Sequence, residues 1–571
     1  MFRNITLIAL AVLCAGIMVS CKSTGENAGD TAVTTTVVEN VVVSTVNEQV
    51  YYEKTGTVVV GDNLVTTYAF ENGLKLVLLE DHSKPVVSVY MAYDAGTRHE
   101  TPATSGLAHL TEHALYIGTH TIKPGQHDEI IKGLSEKLEQ AEGTAKKAKS
   151  EPNAYTRDDY VMVYDFNLPS KELETALKLE SDRMRNVLFN EDAFQFEKTR
   201  LMEEEGRNQV GLGTFLDELR ATAYQSHPYG IALTMASGFR TNAEYLTIED
   251  VKKFYNTYYQ PDKCVLALVG DFNSEDALAL ANKYFGAIAK GPDVAEPPLY
   301  EPRQAGECRK VIPIPKKKNF ILIGYHVPQY DHPDIYPLFV ASRLVNIDAI
   351  CDLAKDPGMF TVFAEFPIKE NYMDAGNSII NELERLKSGE FNDDDLEKVK
   401  AEMSQMFTMK VAVAERPYFS LGPDLAIYEL FGSVKYLEQF EEKVNAVTKD
   451  DIKRVANAYF TKENRTVLFA KGDASIKLKG RMGVELATDP VETAKANGLP
   501  VKAVVPGSPA EQAKLQAGDV ITSIDTTVIL KYEDLKSALE NKFEGDVITV
   551  TYKRGEETLV TPVTLAPRDE E

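Results

Sequence analysis

The sequence predicts an α+β protein made of two related α/β halves, each an antiparallel sheet backed by helices, with a β-rich domain after them. Three observations carry this. Helix-periodic and strand-like stretches alternate from about residue 64 to 290 and again from about 305 to 472. A piece of the first region recurs in the second: Thr247-Ile248-Glu249-Asp250 leads through a helical stretch to Tyr258-Tyr259 and a strand-like run at 265–269, and Thr448-Lys449-Asp450-Asp451 leads to Tyr459-Phe460 and a run at 467–469. An echo over that length points to duplication. Beyond residue 478, short β-rich runs at 501–505, 520–524 and 547–552 surround one helix at 532–541, punctuated by tight turns at Pro506-Gly507 and Gly518-Asp519.

Size and charge bound the rest. A chain of 571 residues exceeds what a single core supports. Its 44% hydrophobic and 26% charged residues are those of an ordinary globular protein. The formal net charge of −24, with no basic footprint, excludes a nucleic-acid partner; it permits cationic substrates but chiefly describes a solvated surface.

In chain order, Arg3 precedes an apolar stretch at 5–19 that ends at Ser20-Cys21 and turns polar at Lys22. Residues 1–21 read as an export signal, too short and wrongly flanked for a spanning helix. The ending resembles a bacterial lipoprotein signal, although Met18 stands where leucine is usual. That resemblance implies lipidation of Cys21, anchoring to a membrane through the lipid and, with Lys22 next, sorting to an outer membrane facing the periplasm. Residues 22–60 read as a tether with an extended piece near 41–43. The first half then occupies 61–292, with strands at 74–79 and 86–93, and closes at a Gly/Pro-rich boundary at 289–298. The second half takes 293–475, and the last domain 478–567. Cys264, Cys308 and Cys351 are too widely spaced for a disulfide framework or a zinc knuckle and read as buried small residues.

The most informative stretch is Ser105-Gly106-Leu107-Ala108-His109-Leu110-Thr111-Glu112-His113. On a helix capped by Ser105 and ended by Gly118, His109 and His113 are one turn apart and present two imidazoles to one point. Two neutral imidazoles suit Zn²⁺, and Glu112 beside them can take a proton from a water on the metal. The spacing is His-x-x-Glu-His. A catalytic zinc needs a third protein ligand. A helix at 191–207, capped by Asn190, supplies candidates. Glu197 and Glu204 lie two turns apart along the edge of its Phe194/Leu201 stripe; Glu203 points away, and Glu205, on the stripe's other side, remains a rival.

With the further stretches Ala95-Gly96-Thr97-Arg98-His99-Glu100, Asn153-Ala154-Tyr155-Thr156, Leu179-Glu180-Ser181-Asp182-Arg183-Met184, His227-Pro228-Tyr229-Gly230 and Tyr428-Glu429-Leu430-Phe431-Gly432, residues 65–472 resemble the pitrilysin/insulinase family of zinc metallopeptidases. The resemblance implies one zinc per chain on His109, His113 and Glu204, with Glu112 as general base and Glu197 steadying the site. It also implies an edge strand at Asn153 and Ala154 on which an extended peptide or unfolded polypeptide is laid. Residues 478–567 resemble a bacterial PDZ domain whose carboxylate loop falls at Met482, Gly483, Val484 and Glu485.

Two departures stand out. A charged helical stretch at 123–152 replaces a short Gly-rich turn, with His120 and His127 read as surface residues. In the second half the family has Ser-Arg-Leu followed by a helix carrying Arg and, seven residues on, Tyr; here Ser342-Arg343-Leu344 runs within a few residues to Asp356-Pro357-Gly358, Ile350 stands seven beyond Arg343, and Arg416 and Tyr418 are only two apart. The missing pair implies a related partner subunit that brings it, or alternatively a non-catalytic scaffold recruiting chain ends through the PDZ domain.

Overall fold

The computed structural model describes residues 51–142, 152–207, 211–231, 242–293, 299–411, 421–487 and 490–568, together with two short paired strands, Val37–Val38 and Val41–Val42. Cys21 and its leader lie outside the described residues. Among the described residues no helix is long and apolar enough to cross a membrane. The chain divides into two compact units: Met1–Cys308 with Ile323–Val362 and Ile380–Val467, and Arg309–Leu322 with Phe363–Ile379 and Leu468–Glu571.

The first unit is organised on a seven-stranded sheet. Its strands are β1 (Tyr52–Val60), β2 (Asn63–Phe70), β3 (Lys75–Glu80), β4 (Val86–Tyr93), β5 (Pro152–Thr156), β6 (Val161–Pro169) and β7 (Cys264–Gly270). Their order is β1-β2-β3-β7-β4-β6-β5. β4 and β7 are buried throughout, which is why they read as unbroken apolar runs. β7 arrives after a long helical excursion and slots between β3 and β4, parallel to the first and antiparallel to the second. Those two neighbours run in opposite directions, so any strand between them must be parallel to one. The sheet is therefore mixed rather than antiparallel as expected. The expected tether also ends early, because β1 already belongs to the sheet at Tyr52. The signal was present: Val58 and Val60 are buried and Val59 exposed, and Gly61 at φ +61° opens a two-residue hairpin turn.

Helices α1 (Leu107–Ala114), α2 (Gln126–Glu142), α3 (Leu173–Arg185), α4 (Glu191–Arg207), α5 (Leu212–Ala223), α6 (Ile248–Tyr258) and α7 (Ser274–Phe285) follow. Leu110, Leu177, Phe254 and Leu278 join the core on one sheet face. The other face is covered from the second half, by α11 (Leu421–Phe431) and α12 (Lys435–Asn445) through Leu425 and Leu437. Gly422 permits that approach, since a Cβ there would lie 2.1 Å from the Tyr90 ring.

The other second-half elements are β8 (Cys308–Pro313), β9 (Lys318–His326), α8 (Ile335–Leu344), β10 (Asp348–Cys351), β11 (Met359–Pro367), α9 (Tyr372–Ser388), α10 (Asp393–Val411), α13 (Lys449–Tyr459) and β12 (Arg465–Lys471). These strands form a sheet of order β8-β12-β9-β11-β10.

In the last domain, β13 (Gly480–Arg481), β14 (Val484–Leu486), β15 (Leu499–Val504), β16 (Val520–Ile524), β17 (Thr527–Val528), β18 (Val547–Arg554), β19 (Glu557–Thr564) and β20 (Ala566–Pro567) enclose a core of Leu499, Ile521, Leu535 and Val550. Its main helix spans Tyr532–Leu539, and shorter ones lie at Pro490–Ala496 and Pro509–Gln512.

Candidate metal centre

α1 is shorter than the sequence suggested and is not capped by Ser105. Gly106 occupies the cap at φ +91°, and the free N–H groups of the first turn go to Glu100, whose carboxylate accepts from Gly106 N (3.0 Å) and Ala108 N (2.7 Å). A buried carboxylate there satisfies two orphan donors and suits the positive end of the helix. No local pattern in the sequence marks Glu100 as the cap of α1. Leu107, Leu110 and Ala114 anchor the helix in the core and leave His109 and His113 on one side, ring centroids 5.0 Å apart.

α4 begins as expected, with Asn190 Oδ1 accepting from Ala193 N at 3.1 Å. Phe194 and Leu201 are buried, while Glu203 is exposed. Their phase carries Glu204 to α1: His113 Nε2 and Glu204 Oε2 are 3.6 Å apart. One turn pair earlier, Glu197 Oε2 lies 3.3 Å from His113 Nδ1, while Arg200 Nη1 donates to both Glu197 oxygens at 3.0 and 2.9 Å. The Glu205 side chain is outside the described residues.

Glu112 is buried, and Thr156 Oγ1 donates to its Oε2 at 2.6 Å. The sequence marks Thr156 only as part of the edge strand; the β5–β6 hairpin brings it to Glu112 of α1. On the same edge strand Asn153 is exposed and Ala154 half-buried, with Asn153 Oδ1 accepting from Ala154 N at 2.9 Å.

The electrostatics follow from burial in a tight cluster of like and unlike charges. Burial, reinforced by His113, pushes His109 down to about 4. Burial pushes Glu112 up to about 7, against the lowering effect of Thr156 and His113. For His113 burial also pulls downward, but the Glu197 and Glu204 carboxylates outweigh it and raise the group to about 9. Glu204 is held below the usual carboxylate range by hydrogen bonding to His113. His109 thus offers an unprotonated nitrogen, and the position between His113 and Glu204 attracts positive charge.

These residues fit a zinc ion. One donor atom each from His109, His113 and Glu204 lies within 4.8 Å of the others, a nitrogen-nitrogen-oxygen set of the kind zinc takes. Glu197 at Nδ1 fixes the His113 tautomer that turns Nε2 to such an ion. Bound there, zinc supplies Lewis acidity to a water and to a carbonyl oxygen. Glu112 is placed to accept a proton from that water, and Thr156 fixes which carboxylate oxygen is free to do so.

The second half brings no Arg/Tyr pair among the described residues. α8 ends at Leu344, β10 begins four residues later at Asp348, and Ile350 lies within β10. Arg416 and Tyr418 lie outside the described residues. The shortened segment, 352–358, is instead tied to the first half. Arg220 Nη2 meets Asp352 Oδ2 at 3.0 Å, Lys355 Nζ meets Asp94 Oδ2 at 2.8 Å, and Arg98 Nη2 meets Asp356 Oδ2 at 2.9 Å. Tyr224 donates to the Pro357 carbonyl at 2.9 Å.

His120 is exposed as expected, but His127 is not a surface residue: it is buried on α2. The reason is helical phase, because Ile131 and Leu134, four and seven residues on, are buried on the same face. In the last domain Met482 is a core side chain, so only its backbone can face a ligand. Gly483, at φ +79°, packs so closely that a Cβ would meet Ser508 Cβ at 2.3 Å, and Val484 opens β14 at the sheet edge.

Residues 75–237 match the insulinase (peptidase family M16) model, residues 245–346 the peptidase M16 inactive domain, and residues 480–565 a PDZ domain. The chain is 27% identical over 427 residues to a zinc protease, PqqE, of Helicobacter pylori, covering 70% of this chain and 91% of that protein. It is 24% identical over 457 residues to the mitochondrial-processing peptidase subunit beta of Saccharomyces cerevisiae, covering 72% and 91%. The crystal structure of a protease from Helicobacter pylori shares the fold, with TM-score 0.64 and 24% identity over 71% of this chain and 99% of that one. The fold, the two matched halves and the appended module agree: the chain carries M16 insulinase-family domains in both halves, followed by a PDZ domain.

Proposed function

We propose that the protein is a zinc endopeptidase that hydrolyses peptides or unfolded polypeptides, with His109, His113 and Glu204 holding one catalytic zinc and Glu112 as general base. The convergence of the three donor atoms beside a buried, threonine-bonded Glu112 carries this reading. Glu112 takes the proton of the attacking water and passes it to the leaving amine, while Glu197 holds His113 in the ligating tautomer. An extended substrate pairs along β5 at Asn153 and Ala154. The PDZ groove beside Gly483 and Val484 gathers chain ends.

Cleavage has a further requirement. A developing oxyanion needs donors, commonly worth a few kcal/mol. With no Arg/Tyr pair among the described residues, a related subunit supplying one completes the site, as the subunit naming of the yeast relative suggests for its own enzyme. The leader supports an exported lipoprotein anchored through Cys21, on an outer membrane facing the periplasm.

Glu112→Gln tests the mechanism: peptide cleavage should fall by about 10³-fold or more while zinc content is unchanged. The assay is run on the lone chain and with any co-purifying relative. Normal cleavage by Glu112→Gln would refute the assigned base. The scaffold reading is favoured only if neither the chain alone nor the pair cleaves.

A further inference from the structure

A second cluster of ionisable side chains lies outside the centre described above. α2 turns His127 inward, where β6 presents Asp165 and α3 presents Glu180; they are 7%, 0% and 1% exposed. His127 Nε2 is 3.7 Å from Asp165 Oδ2 and 3.5 Å from Glu180 Oε1. One donor atom from each of the three lies within 4.8 Å of the others. Neither ring nitrogen of His127 and neither oxygen of Asp165 makes a hydrogen bond.

Distance separates two explanations. Nitrogen-to-oxygen hydrogen bonds fall at about 2.7–3.2 Å. Donors arranged tetrahedrally around one ion, each about 2.0–2.2 Å from it, sit roughly 3.4 Å apart. Both His127 pairs have the second spacing, as does the candidate catalytic pair His113 and Glu204 at 3.6 Å. Charge points the same way. Two buried carboxylates need compensation. Arg183 pairs with Glu180 and stacks on Tyr116 at 5.2 Å; its charge reaches Asp165, but it makes no hydrogen bond to that carboxylate. A proton on His127 would balance Asp165 in charge. It would leave both ring N–H groups without an acceptor in reach, since Asp128 Oδ1 is also 3.7 Å from Nδ1.

We propose that His127, Asp165 and Glu180 hold a second divalent cation, of the zinc type that takes one imidazole and two carboxylates. Its role is structural: it pins α2 to β6 and α3. Tyr116, three residues beyond His113, meets the His127 ring edge-on at 6.4 Å, so the ion also braces the end of the segment that carries the catalytic ligands.

Elemental analysis of the zinc-loaded, dialysed full-length protein tests this. Wild type should hold two ions per chain, His109→Ala/His113→Ala one, and His127→Gln one. The thermal midpoint of His109→Ala/His113→Ala should drop on chelation. That variant leaves the second cluster intact, so it decides the matter even if His127→Gln fails to fold. No ion in it, or a midpoint indifferent to chelator, overturns the proposal, as do two ions in His127→Gln.

Discussion

The two halves repeat a local motif almost to the degree and diverge in what they build from it. Thr247 caps α6 at φ −104°, ψ 163°, and Thr448 caps α13 at φ −104°, ψ 164°. Each hydroxyl donates at 2.6 Å to an aspartate three residues on, and each helix is 11 residues long. The early helices are unlike. α1 turns two histidines toward Glu204 of α4 and a glutamate toward Thr156 of β5. α8 buries Leu338, Val340 and Ala341 and carries no metal donor, and the segment after it clamps onto the first half. A cap is decided by four residues and their own backbone, so it survives divergence. A metal site needs two helices brought into phase, so it survives only where that pairing is kept.

The sharpest break of that contrast is Glu204→Gln, which should weaken zinc retention by more than about 100-fold, beyond the usual cost of losing a supporting residue. Glu203→Gln should leave retention unchanged. Equal retention in both variants, measured by competition with a chelator, would move the third ligand elsewhere.

Glu100→Ala strips α1 of its cap and leaves two buried N–H groups unpaired. It should cost about 2–3 kcal/mol in denaturant unfolding and loosen zinc with it. Unfolding that shifts while zinc affinity holds would show that the cap stabilises α1 without orienting its histidines.

The clamp between halves is sharpened by a double-mutant cycle on Arg98 and Asp356, with an expected coupling of about 2 kcal/mol at neutral pH. Burial works to raise the Asp356 carboxyl, but His227 and Arg98 together hold it below the ordinary range. A depressed carboxylate stabilises the fold above its unfolded value of about 3.9 and loses that contribution as pH falls through the folded value. The coupling should therefore be present at neutrality and vanish as pH falls through the folded value of Asp356.

Thr247→Ala and Thr448→Ala give the smallest effect, about 1 kcal/mol each, and the two should be equal. Unequal costs would mean that the surroundings of the two caps have diverged more than their geometry.

The His-x-x-Glu-His spacing alone marked His109 and His113 as a pair that could hold a metal, because one helical turn makes them neighbours wherever the helix lies. The paired threonine caps were equally legible, as was the punctuation of the last domain, since both rest on interactions within a few residues. Tertiary structure decided the rest. Glu100 reaches back to cap α1, and Thr156 meets Glu112 only once β5 is paired with β6. His127 went inward because the phase of α2 is set by Ile131 and Leu134 packing against the core. β7 became parallel to β3 because the opening left for it lay between two opposed strands. Thr156 and Glu112 are 44 residues apart in the chain, and β7 and β3 are further still, and no local propensity records a distance that only packing creates.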